Sequence, residues 1–450
     1  MPASRTPYRP ESQKHQARFS RAVSFTHDTT KAALVMLCAA LVSLAVANSP
    51  LHGPFSAFWN MPVSVAVGPA AFTLPLAHVV NDVLMAVFFL LVGLEVKYEF
   101  TAGELTDPRR AVLPIVAALG GVAAPIGIYL AFNAANPATA GGWGVPTATD
   151  IAFALGILSL LGSRVPTGLK VFLSTLAVAD DIIAILVIAL FYGHAPELHW
   201  LAAAAAVIVV LAVLNRRHIH ALAPYLLLGV ALWACVFLSG IHSTIAGVLL
   251  ALTIPTTSSV DAGAFHTWAA RQLDRARDSF DAAAPIVGQH RFLDLMGSLS
   301  RLSKQVVPPA TRLEKRLHPW VYFLILPLFA LGNADVCLTD GSVGDIFANP
   351  ALFGIFLGLV LGKPAGILAA SALVVKSGLA PLPTGVTWGQ MVGAGMLAGV
   401  GFTMAIFVAN LAFADAATVA VAKAAVLAAS VVAGLAGFLF LRTRLPRQHD

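Results

Sequence analysis

Long apolar segments with few charged residues recur along the whole chain, and they restrict its fold more than any other feature. An α-helix needs about 20 residues, each rising about 1.5 Å, to cross the hydrocarbon layer of a membrane. Only 11% of the 450 residues are charged, against about 25% in soluble domains. Membrane β-strands would instead be short segments of alternating polarity. The sequence therefore predicts an all-α membrane protein.

We predict twelve transmembrane helices, of which the eighth and ninth are short or interrupted. They form one domain over residues 31–441, between an N-terminal tail at 1–30 and a C-terminal tail at 442–450. The predicted spans lie near 31–49, 75–97, 111–133, 144–162, 169–193, 199–215, 220–238, 241–256, 319–335, 350–375, 388–412 and 416–441.

Basic residues are distributed unevenly between the connections. Lys and Arg favour cytoplasmic loops, and they precede the first span and occupy every second connection after it. The connections at 50–74, 134–143, 194–198 and 336–349 carry none. This pattern predicts an even number of spans with both termini in the cytoplasm. The tail at 1–30 is polar and basic, so we expect no cleaved signal peptide.

Several other classes of partner are disfavoured. The net charge of +6 comes from basic residues that punctuate the apolar segments, so we expect membrane lipid and no nucleic acid around this chain. Cys38, Cys235 and Cys337 are far apart and predict neither a disulfide framework nor a metal site. The sequence has no phosphate-binding G-x-x-x-x-G-K-[ST] loop, and we expect no bound cofactor.

Two connections are unusual. Residues 50–74 contain alternating valines followed by Gly68 and Pro69, which predicts a short hairpin on the outer, periplasmic face. The edge of such a hairpin can pair with a second copy of the chain. Residues 257–318 form a long cytoplasmic loop, in which we expect an amphipathic helix around 263–302 with basic residues that suit a membrane surface. A loosely ordered insertion is the alternative.

Two adjacent carboxylates, Asp180 and Asp181, lie in the middle of the fifth predicted span. A charged side chain there costs about 2.5–3.5 kcal/mol on insertion scales, so its retention indicates a function. Burial and a like-charged neighbour favour the protonated form of a carboxylate, whereas the ionised form suits a hard cation such as Na⁺ or Li⁺. One site can therefore bind a proton or a cation, which is the minimal chemistry of exchange. A structural ion pair or a polar helix contact is the alternative.

Two further charged residues lie inside predicted spans. Asp150 follows glycines, Pro146 and threonines in the fourth span, where we predict a helix break. Asp150 either neutralises the positive end of a half-helix or coordinates a cation, and a simple helix cap is an overlapping alternative. Lys363, deep in the tenth span, needs Asp180 or Asp181 as a partner, unless it is held by structure alone.

Gly399 and Gly401 predict a second helix break, in the eleventh span. Interrupted helices at matching positions in two halves are typical of inverted-repeat transporters with a site at the membrane midplane. Close helix packing through glycine is the alternative.

Six motifs carry a resemblance to a known family. They are Asn81 to Lys97 (NDVLMAVFFLLVGLEVK), Pro146 to Gly156 (PTATDIAFALG), Ala177 to Ile182 (AVADDI), His318 to Trp320 (HPW), Leu361 to Pro364 (LGKP) and Gly401 to Met404 (GFTM). Together they resemble the NhaA family of bacterial sodium/proton antiporters, and the likeness covers roughly residues 30 to 440. The resemblance implies a secondary active transporter that exports Na⁺, and also Li⁺, in exchange for external H⁺. It further implies a homodimer through the 51–74 hairpin, in the bacterial inner membrane.

The resemblance also implies roles for individual residues. Asp181 matches the principal carrier of cation and proton, and Asp180 matches the second carboxylate, paired with Lys363, with Na⁺ bound at the two aspartates. Asp150 and Lys363 match the residues that compensate crossed half-helix ends, with Thr149 nearby. Positions of the cytoplasmic funnel and pH response are matched by Asp82, Glu95, His242, Glu314 and His318. For the two histidines, a packing role is the alternative.

Three features depart from the family pattern: Tyr98 stands where arginine is common, Lys315 where histidine is common, and the 257–318 loop is longer. These departures affect the expected pH sensing and leave the expected exchange chemistry unchanged.

Two functions of other classes stay open at this point. A cation channel conducts through rings of carbonyls or charges, and a sensor or scaffold would depend on the long loop. If two protonatable groups exchange against one Na⁺, transport is electrogenic.

Overall fold

A computed structural model describes residues 28–67, 70–193, 196–337 and 347–445. The predictions for most of the N-terminal tail, for the last five residues, and for parts of the outer connections at 50–74, 194–198 and 336–349 lie outside these residues. The described chain is almost entirely helical and carries one two-stranded sheet. The predicted all-α class with a small hairpin is confirmed.

Eighteen helices follow one another in the described chain. In chain order they are α1 (Thr29–Ala47), α2 (His52–Trp59), α3 (Leu76–Thr101), α4 (Pro108–Asn133), α5 (Pro137–Thr147), α6 (Ile151–Leu160), α7 (Thr167–Phe191), α8 (Leu198–Arg216), α9 (Leu222–Leu238), α10 (Ile245–Thr253), α11 (Ala262–Ser279), α12 (His290–Val306), α13 (Pro309–Trp320), α14 (Leu326–Asn333), α15 (Pro350–Lys376), α16 (Trp388–Ala398), α17 (Phe402–Ala412) and α18 (Ala416–Arg444). Helices occupy all twelve predicted segments.

Helix length and hydropathy support a multi-pass membrane protein. Within the described residues, seven helices are long and apolar enough to cross a membrane, namely α1, α3, α4, α7, α8, α15 and α18. Two further pairs, α5 with α6 and α16 with α17, pass the same test together and are bent by 45° and 44° at their breaks. The other apolar segments are shorter, and α10 has only 9 residues.

The hairpin joins α2 to α3. Strand β1 (Pro62–Val67) pairs antiparallel with β2 (Ala70–Pro75), so that Val63 lies opposite Leu74 and Ser64 opposite Thr73. The Ser64 and Thr73 hydroxyls lie 2.9 Å apart, a cross-strand hydrogen bond. The valine alternation of the sequence therefore identified the strand correctly.

The amphipathic helix expected around 263–302 is present as two helices, α11 and α12. The helix ends near Asp281, whose carboxylate accepts a hydrogen bond from the Ala283 N–H, and Pro285 follows. An aspartate turn and a proline both compete with a continuing helix. The chain then folds back, and the rings of Phe280 and Phe292 lie 5.2 Å apart.

Close glycine packing joins α4 to α15, the helix that carries Lys363. A Cβ atom added at Gly366 would lie 2.0 Å from the Gly120 carbonyl oxygen, far inside van der Waals contact. Only glycine lets the two backbones approach this closely. The contact brings Lys363 to the centre of the helical core, where it is 1% exposed.

Candidate functional site

Two helix breaks meet at the centre of the molecule. The Asp150 N–H, in the break between α5 and α6, donates a hydrogen bond of 2.7 Å to the Val400 carbonyl, in the break between α16 and α17. The second break needs its glycines, since a Cβ at Gly399 would lie 2.5 Å from the Leu359 carbonyl oxygen. Breaks of this kind expose backbone groups inside a membrane only where protein or a cavity satisfies them. Here one backbone group of each break is satisfied by the other break.

Asp150 lies between the N-terminal ends of two half-helices. Its Oδ1 accepts from the Phe153 N–H at 3.0 Å and so caps α6. Its Oδ2 accepts from the N–H and the hydroxyl of Thr403, at the start of α17, at 3.2 and 2.5 Å. A helix N-terminus carries about half a positive charge, so one carboxylate balances two helix ends. The predicted roles of helix cap and charge compensator coincide in this residue.

Lys363 balances the opposite end of the first break. Its ammonium group donates to the Thr147 carbonyl, at the end of α5, and to Asp180 Oδ2 at 2.5 Å. The side chains of Lys363 and Asp180 are 1% and 2% exposed. The predicted partner of Lys363 is therefore Asp180 and not Asp181.

Thr149 ties Asp180 to the second break. Its hydroxyl lies 2.6 Å from Asp180 Oδ2 and 2.8 Å from the Ala398 carbonyl oxygen, both of which accept hydrogen bonds. A hydroxyl group has one proton, so at any time it donates fully to only one of them. Asp180 Oδ2 is thereby surrounded by Lys363 and Thr149.

Asp181 is in a different environment, although it follows Asp180 directly on α7. Its Oδ1 is buried without a hydrogen-bond partner among the described residues. Its side chain lines a cavity of about 10 Å³, close to the smallest space that holds one water molecule. The polar side chains that line this cavity are Glu95, Asp150, Asp181, Tyr322 and Thr403.

Of the predicted pH-response residues, the structure brings only Glu95 to this cavity. Asp82 accepts a hydrogen bond of 3.3 Å from the Ser243 hydroxyl, and His242 Nε2 lies 2.5 Å from the Tyr192 carbonyl oxygen. Glu314 and His318 lie on α13, at the end of the 257–318 connection and just before the cavity-lining Tyr322 in the chain. Burial raises the pKa of Glu314 above its ordinary value, and the neighbouring Lys315 opposes this shift.

Sequence reasoning missed Tyr322 and gave Thr403 no role of its own. Tyr322 lies in a π-helical turn (Val321–Ile325) between α13 and α14, and its ring is 4.4 Å from that of His318. The spacing of four residues from His318 was the available signal, since residues four apart share a helix face. A second π-helical turn (Gly358–Gly362) directly precedes Lys363, and such turns are frequent at functional sites.

A second and much larger cavity, of about 1060 Å³, lies apart from these carboxylates. Leu37, Phe153, Phe356, Phe402 and Leu435 are among its lining residues, which are apolar except for Ser430. Such a cavity cannot replace the hydration shell of a cation. Within the described residues, no group of three or more His, Cys, Asp or Glu side chains is placed to hold a resident metal ion.

Comparisons with known proteins agree on one family. The family model described as Na⁺/H⁺ antiporter 1 matches residues 23–441. The Na⁺/H⁺ antiporter NhaA of Oleidesulfovibrio alaskensis is 45% identical over 412 residues, which cover 92% of this chain and 91% of that protein. The NhaA proteins of Wolinella succinogenes and Yersinia enterocolitica are each 42% identical, and cover 94% and 95% of this chain and 93% and 97% of their own lengths.

Proposed function

This chain belongs to the Na⁺/H⁺ antiporter 1 family and is a sodium/proton antiporter of the membrane, not an enzyme, and we propose that Asp181 is the group that binds Na⁺ and H⁺ in turn. The observation that carries this proposal is that Asp181 lines a cavity, whereas Asp180 does not line it and is held by Lys363 through Oδ2. The Oδ1 atoms of both aspartates are buried without a hydrogen-bond partner among the described residues. A buried carboxylate of this kind must bind a proton or a cation. Competition between the two at one group couples their transport.

Asp180, Thr149 and Lys363 form the second part of the proposed site. Asp180 directly precedes Asp181 on α7. When Na⁺ binds to Asp181, Asp180 can therefore turn a carboxylate oxygen towards the ion. Such a move loosens the contacts of Asp180 with Lys363 and Thr149. Na⁺ at Asp181 and Asp180 is then linked to both helix breaks, because Lys363 holds the Thr147 carbonyl and Thr149 lies beside the Ala398 carbonyl.

The same arrangement supports twelve spans in two inverted repeats, with α5–α6 and α16–α17 as the two interrupted spans. Asp150 and Lys363 then compensate opposite ends of these half-helices. The alternation of basic connections supports cytoplasmic termini in a bacterial inner membrane. Accessibility of single cysteines placed in the tails and in the hairpin tests this orientation: labelling of the tails from outside would overturn it.

The hairpin supports a homodimer. Among the described residues its strands pair only with each other, so each retains an edge for a second copy. We expect deletion of residues 62–75 to convert a dimer to a monomer in native mass spectrometry. A dimer of unchanged stability after this deletion would contradict the role of the hairpin.

Lithium transport, an electrogenic cycle and pH regulation belong to the same proposal. Li⁺ is a hard cation like Na⁺ and suits the same carboxylates. Release of two protons for one Na⁺ would make the rate depend on membrane potential, and an unchanged rate at zero potential would exclude this stoichiometry. Asp82, Glu95, His242, Glu314 and His318 are the proposed pH-response residues, and replacing each in turn should displace the pH profile if it takes part.

Flux measurements in proteoliposomes test the proposed carrier. With an imposed pH gradient, the wild-type chain should move Na⁺ against its own gradient, which a channel cannot do. Asp181→Asn should abolish this movement, whereas Asp415→Asn, at a helix cap outside the site, should keep it. Deleting the α11–α12 region should also keep it, because that region contributes no residue to the cavity. Uphill transport by Asp181→Asn would contradict the proposal.

A further inference from the structure

The cavity beside Asp181 contains more oxygen atoms than the carrier alone supplies. Five polar side chains line it, and two of them are already engaged. Asp150 accepts three hydrogen bonds, from Phe153 and from two groups of Thr403. The Thr403 hydroxyl in turn donates its proton to Asp150. The oxygens that remain for a ligand belong to Asp181, Glu95 and Tyr322.

We infer that Glu95 and Tyr322 complete the cation site, so that Na⁺ binds in this cavity between Asp181, the Glu95 carboxylate and the Tyr322 hydroxyl. This inference rests on the proposed role of Asp181 and adds two ligands to it. The three side chains come from α7, α3 and the π-helical turn before α14. Hard cations take oxygen ligands from carboxylates and neutral groups together. Two carboxylates and one phenol provide such a set.

Tyr322 and Glu95 line the same small cavity as Asp181. A phenol oxygen keeps lone pairs that can accept a cation. Tyr322 therefore supplies a neutral oxygen beside the second carboxylate.

The size of the cavity favours a small, dehydrated ion. Its volume of about 10 Å³ is near the lower limit for one water molecule, so a hydrated ion does not fit. Na⁺ and Li⁺ are smaller than K⁺, and the cavity should therefore discriminate against K⁺. The cavity is therefore expected to bind small monovalent cations that have lost their hydration shell.

A polar stripe leads from the cytoplasmic connection to this site. Glu314, His318 and Tyr322 follow one another at intervals of four residues along α13 and its π-helical extension. Residues at this spacing share one helix face, and the rings of His318 and Tyr322 are 4.4 Å apart. Tyr322 is thus the innermost member of the stripe and the first to line the cavity.

Na⁺ binding to purified protein tests the inference without transport. Binding to the folded state raises the unfolding temperature, and the stabilisation grows with the logarithm of the ratio of ligand concentration to Kd. Tyr322→Phe and Glu95→Gln should each weaken the Na⁺ affinity by about tenfold. Tyr129→Phe is the matched control, since it removes another buried tyrosine hydroxyl, bonded to the Thr139 carbonyl away from the cavity. K⁺ should give no stabilisation in any variant.

The outcomes separate the inference from the proposed function. In flux assays, Tyr322→Phe should raise the KM for Na⁺ and leave the maximal rate within about twofold, since only binding is lost. Wild-type Na⁺ affinity in Tyr322→Phe, or an equal loss in Tyr129→Phe, would overturn the inference. If Tyr322→Phe does not fold, the Na⁺ affinity of Glu95→Gln tests the inference in the same way. If Asp181→Asn still binds Na⁺ with wild-type affinity, the proposed function itself fails. If Asp181→Asn loses Na⁺ binding while Tyr322→Phe and Glu95→Gln keep it, only the two added ligands are refuted.

Discussion

Lys363 Nζ lies 2.5 Å from Asp180 Oδ2, and this buried ion pair makes two adjacent aspartates chemically different. Asp180 has a cation and a hydroxyl at Oδ2, whereas Asp181 lines the small cavity. The Oδ1 atoms of both aspartates have no hydrogen-bond partner in the described part of the chain. The difference arises from their positions on α7, since consecutive residues point about 100° apart. In the cycle that we propose, Asp181 takes up the ion first, and Asp180 is held by Lys363 until the ion arrives.

Removing Lys363 should destabilise the protein strongly. Lys363→Met leaves Asp180 buried without its cation, which costs about 3–5 kcal/mol in comparable buried pairs. Adding Asp180→Asn to this variant should restore much of the loss. The free energy of unfolding in detergent measures both effects. Lys423→Met is the matched control, because its partner Asp335 is 31% exposed, and we expect a loss below about 1 kcal/mol. Equal losses in the two lysine variants would contradict this account.

The Thr403 hydroxyl should be required at the meeting point of the two breaks. Thr403→Val removes its 2.5 Å hydrogen bond to Asp150, and a hydrogen bond to a charged group contributes about 1.5–3 kcal/mol. We expect lower thermal stability and slower Na⁺/H⁺ exchange. Thr403→Ser keeps the hydroxyl and should stay close to wild type. Similar exchange rates for the valine and serine variants would show that the hydroxyl is dispensable.

The glycine contact between α4 and α15 should set the position of Lys363. Gly366→Ala places a Cβ 2.0 Å from the Gly120 carbonyl oxygen, so the helices must separate, at about 1–3 kcal/mol. Gly127→Ala lies on the same α4 helix with nothing within 4 Å of its new Cβ, and it should be neutral or stabilise by about 0.5–1 kcal/mol. Unfolding temperatures and exchange rates distinguish the two. A neutral Gly366→Ala would exclude tight packing here.

Glu314 and Asp415 should affect stability with opposite dependence on pH. Burial raises the pKa of Glu314, so the folded state binds its proton more tightly than the unfolded chain. The wild type then loses stability as pH rises through this pKa. Glu314→Gln cannot ionise, and it should be more stable than wild type at pH 8 and lose that advantage towards acid pH.

Asp415 provides the control of opposite sign. The hydrogen bond from the Thr418 side chain lowers the pKa of Asp415, so its ionised form stabilises the fold. Asp415→Asn should therefore be less stable than wild type at neutral pH, with a difference that vanishes as pH falls through the lowered pKa. Thermal unfolding of both variants from acid to alkaline pH measures these effects. A constant difference at all pH values would contradict either assignment.

The central residues of the site were predictable because charge inside an apolar segment is costly. Asp150, Asp180, Asp181 and Lys363 stand out for this reason alone, and all four lie together in the core. The hairpin was predictable from the alternation of valines. These residues differ in charge or in spacing from the residues around them, and such a difference can be read directly from the sequence.

Other features depend on tertiary contacts that leave no such signal. The identity of the aspartate that pairs with Lys363 depends on helix rotation, and the bond between Asp150 and Val400 joins segments 250 residues apart in the chain. Tyr322 resembled an ordinary tyrosine of an apolar segment, and nothing in the sequence indicated the π-helical turn that contains it. The division of 263–302 into two helices depended on a local turn at Asp281 that competes with helical periodicity.

Proton release on addition of Na⁺ to purified protein, at constant pH and without a membrane gradient, tests the central claim most directly. If Asp181 binds Na⁺ and H⁺ in turn, the wild type releases protons with saturation, Asp415→Asn does the same, and Asp181→Asn releases none. Saturable proton release by Asp181→Asn at wild-type amplitude would contradict the account.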